Sequence, residues 1–150
     1  MRISKEAYYL KIAEVVASRS TCLKHKYGAV LVKDDVIIST GYNGAPRGEV
    51  NCCDSGCCRA SSGLGPVNSS ARVHGNQYGS CVAVHAEQNA ILNAGRSKCV
   101  GATLYLACLT PGRSAIPCNI CNRLINNVSI KKIVVKGIGR GGNTKCLQCD

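Results

Sequence analysis

His85-Ala86-Glu87 and, further along, Pro117-Cys118-Asn119-Ile120-Cys121 are the two stretches around which the rest of the chain has to be arranged. Together they offer an imidazole, a pair of thiols and a carboxylate. Zinc takes nitrogen and sulfur ligands tetrahedrally, and a catalytic zinc keeps one position open for water. His85, Cys118 and Cys121 account for three ligands. Glu87 stands two residues from His85, close enough to reach a metal-bound water without ligating the metal.

The flanking residues fit that reading. The stretch from His85 to Gly95 has good helix formers, apolar Ile91 and Leu92, and a glycine to stop it. Pro117 opens a second helix, expected over Cys118 to Asn127. Cys118 and Cys121 are three apart and share a face of its first turn, where the helix N-terminus favours thiolates. A C-x-x-C taken alone also fits a structural zinc knuckle or a redox pair. With H-x-E upstream and proline before the first cysteine, the pattern is the signature of zinc deaminases. In that chemistry the glutamate takes a proton from water and returns it to the base and to the departing amine.

A chain of 150 residues is expected to form one domain with a real core. No run of 18 apolar residues is present, so no membrane span is expected. The start, Met1-Arg-Ile-Ser-Lys-Glu, lacks a signal-peptide core, which makes the cytoplasm the expected location. Twelve cysteines without an export signal point to metal ligation more than to disulfides. Cys99 and Cys108, beside or in an apparent strand, read as plain core or semi-buried thiols. The net charge of +11 suits an anionic partner, a nucleotide phosphate or a nucleic acid. Six tyrosines with no phenylalanine or tryptophan make a thin base-stacking platform, so nucleic acid is the less favoured partner.

Taken in order, Ser4 caps a helix from about Lys5 to Ser18, with Ala7, Leu10, Ala13 and Ala17 at helical spacing. Ser20 to Lys26 is a basic connector. Residues 28–33 and 36–40 read as a hairpin turning at Asp34-Asp35, and Gly41 to Pro46 as a loop. Residues 47–80 are rich in glycine, serine, asparagine and cysteine. A structureless loop of that length needs something to fix it. Cys52, Cys53, Cys57, Cys58, His74 and Cys81 lie in it or at its end, which suggests a second metal. Strands are expected at 102–107 and 132–135, with a loop over 108–116 between the first of them and the second helix. Residues 1–140 form one domain with a cysteine-rich insert at 47–81; the tail, 141–150, is expected to be mobile, and its Cys146-Leu-Gln-Cys149 has no assigned role. The order helix, hairpin, helix, strand, helix, strand is that of an α/β domain with a mixed sheet, parallel after each crossover helix.

The chain resembles the deoxycytidylate deaminases of the cytidine-deaminase-like superfamily. The likeness covers most of residues 18–140 and rests on Ser20-Thr21-Cys22, Gly28 to Asp34, Gly41-Tyr-Asn-Gly-Ala-Pro-Arg-Gly48, Gly56-Cys57, Cys81-x-x-x-His85-Ala-Glu-Gln-Asn-Ala90 and Pro117-Cys118-x-x-Cys121. It implies a three-layer fold with a five-stranded mixed sheet between helices, a homo-oligomer such as a hexamer, and zinc-dependent deamination of dCMP to dUMP and ammonia. It also implies roles: His85, Cys118 and Cys121 hold the catalytic zinc, and Glu87 shuttles the proton. Asn43 contacts the sugar hydroxyl, Ala86 lies against the substrate, and Lys24 and Arg140 face the 5′-phosphate. Cys22, Cys52, Cys57 and Cys81 align with cysteines of a second, structural zinc, with Cys53, Cys58 and His74 in reserve. The Gly41 to Gly44 loop is implicated in regulation by dCTP and dTTP. Two features depart from the pattern: Gly139 stands where an aromatic residue is usual, and Leu109 to Ile116, with Arg113, lengthens the loop beside the site.

Other readings are a deaminase of a related cytosine nucleotide or nucleoside, a tRNA adenosine deaminase, and a non-catalytic zinc-binding protein. The Gly41 to Pro46 loop and the cysteine-rich insert speak for the nucleotide branch, and an intact Glu87 speaks for an enzyme.

Overall fold

The structure is a computed structural model that describes residues 1–57, 81–136 and, as backbone only, 144–148. The elements in chain order are α1 (Lys5–Ala17), β1 (Tyr27–Lys33), β2 (Val36–Tyr42), α2 (Cys52–Ser55), α3 (Ala86–Ala94), α4 (Arg96–Cys99), β3 (Thr103–Cys108), α5 (Asn119–Asn127), β4 (Lys132–Lys136) and β5 (Thr144–Gln148). The sheet order is β2-β1-β3-β4-β5. β1 runs antiparallel to both β2 and β3, and β3 runs parallel to β4. The crossovers through α3 and α5 therefore return the chain in the same direction each time, as the element order led one to expect.

The strands carry apolar side chains on both faces, and successive residues face opposite ways. On β1, Ala29 and Leu31 join Leu104, Leu106, Ile133 and Val135 under α3 and α5, whose Ala86, Ala90, Ile91, Cys121 and Ile125 complete that core. Val30 and Val32 join Tyr105, Ala107 and Val134 on the other face, against Tyr9, Leu10 and Ala13 of α1. Leu31, Leu104, Leu106 and Ile125 are fully buried, each favouring the fold by about 1.5–3 kcal/mol relative to exposure. Ser4 caps α1, its Oγ accepting the Ala7 N–H at 3.1 Å. At the hairpin, Asp34 and Asp35 take φ of 50° and 64°, the paired left-handed conformation of a tight two-residue turn. Lys5 Nζ and the Tyr9 hydroxyl both donate to the Asp35 carboxylate, at 2.6 and 2.9 Å, which latches α1 to that turn.

Two glycines set the layer spacing. A Cβ on Gly28 would lie 2.1 Å from the Ala13 carbonyl oxygen of α1, and one on Gly41 would lie 2.3 Å from the Ala90 nitrogen of α3. Both helices rest on the strands at backbone distance.

Three elements depart from the expectation. Gly95, at φ 80°, ends α3 as foreseen but also starts α4 directly, so the stop signal holds for one residue only. The short α2 falls inside the cysteine-rich insert. Thr144–Gln148, read as part of a mobile tail, instead lies as a strand antiparallel to β4, pairing Val134 with Cys146 and Val135 with Lys145. Edge pairing supplies what the local sequence lacks. Among the described residues, no helix is long and apolar enough to cross a membrane.

Gly41→Ala is expected to push α3 off β2 and to destabilise the protein by about 1–3 kcal/mol, the usual range for overpacking. Leu92→Ala, on the exposed side of the same helix, is expected to stay within about 0.5 kcal/mol. Chemical denaturation of the two variants separates the cases.

Candidate active site

Two helix N-termini meet at the site. His85 precedes α3 in extended conformation, and its N–H donates to the Gln88 side-chain oxygen at 2.8 Å, which fixes the entry to the helix. Pro117 leads into Cys118, the N-cap of α5, whose Sγ accepts the Cys121 N–H at 3.5 Å. His85 Nδ1 lies 3.6 Å from Cys118 Sγ and 3.4 Å from Cys121 Sγ. Tetrahedral zinc with ordinary Zn–S and Zn–N bond lengths sets its sulfur and nitrogen ligands about 3.5 Å apart. These distances already have that spacing. Among the described residues, this is the only group of three such ligand atoms lying within 4.8 Å of one another.

The electrostatics call for a cation. Cys121 is fully buried, and burial, with Glu87 and Cys118 beside it, pushes its thiol pKa far up. Glu87 is 5% exposed. Burial raises its carboxyl above the usual range, while its own backbone N–H, the His85 ring and a hydrogen bond with Cys121 pull the other way. A divalent cation among these groups would reverse the penalty on the sulfurs and deprotonate them. One nitrogen and two sulfur donors, held by the starts of two packed helices, suit zinc.

The other expected site residues are distributed around this centre. Ala86, the first residue of α3, is fully buried. Gly44 and Val84 exchange backbone hydrogen bonds at 3.2 and 2.8 Å, so the loop carrying Asn43 lies against the residue preceding His85. Asn43 is buried and clamps the connector: its Oδ1 accepts the Tyr27 N–H and its Nδ2 donates to the His25 carbonyl, each at 2.8 Å. Lys24 is exposed on that connector. Cys22 and Cys52 are buried, and Cys57 and Cys81 are half-buried. The Cys53 N–H donates to the Thr21 carbonyl at 3.1 Å, which brings α2 to the Cys22 segment, yet the four sulfurs make no three-ligand group. Cys58, His74, Gly139, Arg140 and Cys149 lie outside the described residues.

Residues 3–136 match the family model described as the cytidine and deoxycytidylate deaminase zinc-binding region. The chain belongs to this deaminase family. It is 42% identical over 129 residues to a deoxycytidylate deaminase of Mycobacterium phage D29, covering 86% of this chain and 91% of that one. It is 39% identical over 133 residues to the deoxycytidylate deaminase of Schizosaccharomyces pombe, covering 89% of this chain but spanning only 37% of the relative's length. Among solved structures it is similar to the dCMP deaminase of cyanophage S-TIM5 in complex with dCMP and dUMP, with a TM-score of 0.60, 27% identity, and coverage of 89% of this chain and 81% of that one. The α/β fold with its mixed sheet is therefore the cytidine-deaminase-like fold.

Two structural supports near the cluster were not legible in the sequence. Gln88 stabilises the helix start through a capping contact whose histidine partner is not a usual N-cap residue. Tyr27 enters through register: it stands opposite Cys108 across β1 and β3, where its N–H donates to Asn43 Oδ1.

Zinc uptake by the metal-free protein is expected to strengthen as pH rises through about 6 to 8, because the thiols must lose protons to ligate. Competition against a chromogenic chelator measures this. Cys121→Ser is expected to lose about one equivalent of zinc and to show no such pH-dependent uptake at this site.

Proposed function

We propose that this chain catalyses the hydrolytic deamination of deoxycytidine 5′-monophosphate to deoxyuridine 5′-monophosphate and ammonia. The observation that carries the reading is the buried Glu87 carboxyl set against a His85/Cys118/Cys121 cluster of zinc-ligand spacing. The names of the phage and yeast relatives support the substrate.

Zinc held by those three residues would supply Lewis acidity that brings the pKa of a water molecule down towards neutrality. Glu87 accepts a proton from that water on a carboxylate oxygen and passes it to N3 of the cytosine ring, which readies C4 for attack by the water oxygen. Glu87 then moves the remaining water proton to the amine at C4. The C–N bond breaks, ammonia leaves, and C4 keeps the oxygen as a carbonyl. A carboxyl lifted by burial holds a proton more readily than a free one, as a group that takes and returns a proton requires. The Ala86 backbone at the start of α3 borders the base. Asn43 reaches the sugar with the lone pair and N–H that its clamp on the connector does not use. Lys24 and Arg140 add positive charge for the phosphate.

The same reading extends to finer features. A second, structural zinc on Cys22, Cys52, Cys57 and Cys81 is supported by the contact of α2 with the Cys22 segment; its ligands would close around the ion on binding. β5 serves as the fifth strand of the family sheet. A homo-oligomer responding to dCTP and dTTP rests on the likeness of the Gly41 to Gly44 loop.

Glu87→Gln is expected to retain the zinc bound at His85, Cys118 and Cys121 and to lose at least about 100-fold in kcat. A variant that loses this metal, or keeps near-normal turnover, overturns the assignment. The wild type is expected to favour deoxycytidine 5′-monophosphate over deoxycytidine by at least about tenfold in kcat/KM, measured by ammonia release. Metal analysis of the reduced, loaded protein is expected to find two zincs per chain, and a single zinc overturns the second site. Cys52→Ser should then lose one of them and lower Tm with little change in the chemical step.

A further inference from the structure

We infer that Asn89 is a positioning residue for the reaction: its side-chain amide sets the first turn of α3, which carries Glu87, against the backbone that leads into Asn43. The inference rests on the proposed deaminase activity, in which Glu87 carries the proton, and adds to it a residue that acts through Glu87.

β2 stands at the edge of the sheet, and α3 runs along it. Thr40 and Tyr42 are two apart on that strand, so their carbonyls point the same way. Asn89 Nδ2 donates to the Tyr42 carbonyl and Asn93 Nδ2 to the Thr40 carbonyl, each at 2.8 Å. The two asparagines are four apart, about one helical turn. Four residues of helix advance about 6 Å and two residues of strand about 6.8 Å, so the two elements keep step. The result is a ladder of two rungs. Between them, Gly41 lets the helix backbone approach, and Ser39 Oγ donates to the Ala90 carbonyl at 2.7 Å.

The rungs share a chemistry and differ in what lies beside them. The Asn89 rung stands two residues from Glu87 on the helix and one residue from Asn43 on the strand. The Asn93 rung lies a turn further from both. Beyond Tyr42, the segment is also held from other sides. The Asn43 N–H donates to the Tyr27 carbonyl at 3.3 Å, and the Asn43 carbonyl accepts the Ser20 hydroxyl at 2.8 Å. Gly44 exchanges two backbone hydrogen bonds with Val84. The Gln88 cap, by contrast, folds back on His85 and fixes the helix start only relative to itself.

Packing alone holds this turn loosely along the strand. Ala86 and Ala90 are the buried side chains there, and both are small. Apolar contact is non-directional, so two methyl groups over a glycine resist separation better than sliding. A hydrogen bond from a short side chain to a fixed carbonyl is directional and resists the slide. Loss of the Asn89 amide therefore frees the helix turn and leaves the Asn43 segment in place. A misplacement of about 1 Å in a reacting group can cost about 100-fold in rate.

The test compares zinc-loaded Asn89→Ala with Asn93→Ala, which removes an amide-to-carbonyl bond of the same length from the same helix. Zinc content, Tm, and kcat and KM for deoxycytidine 5′-monophosphate are measured on each. Both variants should keep their zinc and lose a similar amount in Tm. Asn89→Ala is expected to lower kcat at least about tenfold with little change in KM, and Asn93→Ala to leave kcat close to the wild-type value. Asn89→His, whose Nδ1 lies as many bonds from the backbone as the asparagine amide, should recover part of the loss. Amide hydrogen exchange on the zinc-free protein gives a readout apart from turnover: Asn89→Ala should exchange faster in α3 and not in residues 42–44. Equal kcat losses in the two alanine variants overturn the inference and leave the deaminase reading standing, as does a wild-type kcat in Asn89→Ala. Loss of zinc or of folding in Asn89→Ala alone overturns it too, since the residue is then structural. A zinc-loaded wild type that deaminates neither the monophosphate nor deoxycytidine overturns the deaminase reading and this inference together.

Discussion

A half-buried imidazole, two sulfurs and a buried carboxyl cannot sit within a few ångströms of one another without either protonating or sharing a cation. That constraint governs the molecule. Burial and mutual repulsion drive the Cys121 thiol far above its ordinary range and raise Glu87 as well. The metal-free site is therefore held together at a cost, and the surrounding packing has to bear it. Zinc would turn the imidazole and the two sulfurs into satisfied ligands, which couples metal binding to the integrity of the two helix starts.

The packing that bears this cost is the two-faced sheet. α3 and α5 lie side by side on one face, and α1 closes the other. Because Gly41 admits α3 to backbone contact, the first turn of that helix is positioned by the strand rather than by flexible side chains. Cys121 is counted both in the core and in the ligand cluster. A shift of α5 large enough to move this ligand would open the core, which ties the site geometry to the fold's own stability.

The chemistry was more legible than the details of the backbone. H-x-E and P-C-x-x-C are local in sequence, and each sits on one helix start, so their joint meaning survives without knowledge of the fold. The hairpin was also legible, since Asp34-Asp35 can be recognised as a turn between apolar runs. β5 was not, because Thr144 to Gln148 has little apolar pattern and owes its strand to the exposed edge of β4. The four cysteines of the insert show the limit of spacing arguments. Their ligand set spans segments distant in sequence, and the structure brings α2 to the Cys22 segment without assembling a three-sulfur group.

Asn43 shows how the substrate contact proposed for a residue and its structural work need not compete. Its carboxamide ties the connector to the loop through one accepted and one donated hydrogen bond. An asparagine side chain has two acceptor lone pairs and two N–H donors, so half its capacity is used. The used half also removes the rotational freedom that a substrate contact would otherwise have to freeze. The same clamp fixes the backbone of Tyr27 at the start of β1, whose N–H donates to Asn43 Oδ1 and whose carbonyl accepts the Asn43 N–H. The connector, the Asn43 loop and the residue before His85 are thus held by one chain of hydrogen bonds beside the zinc-ligand cluster.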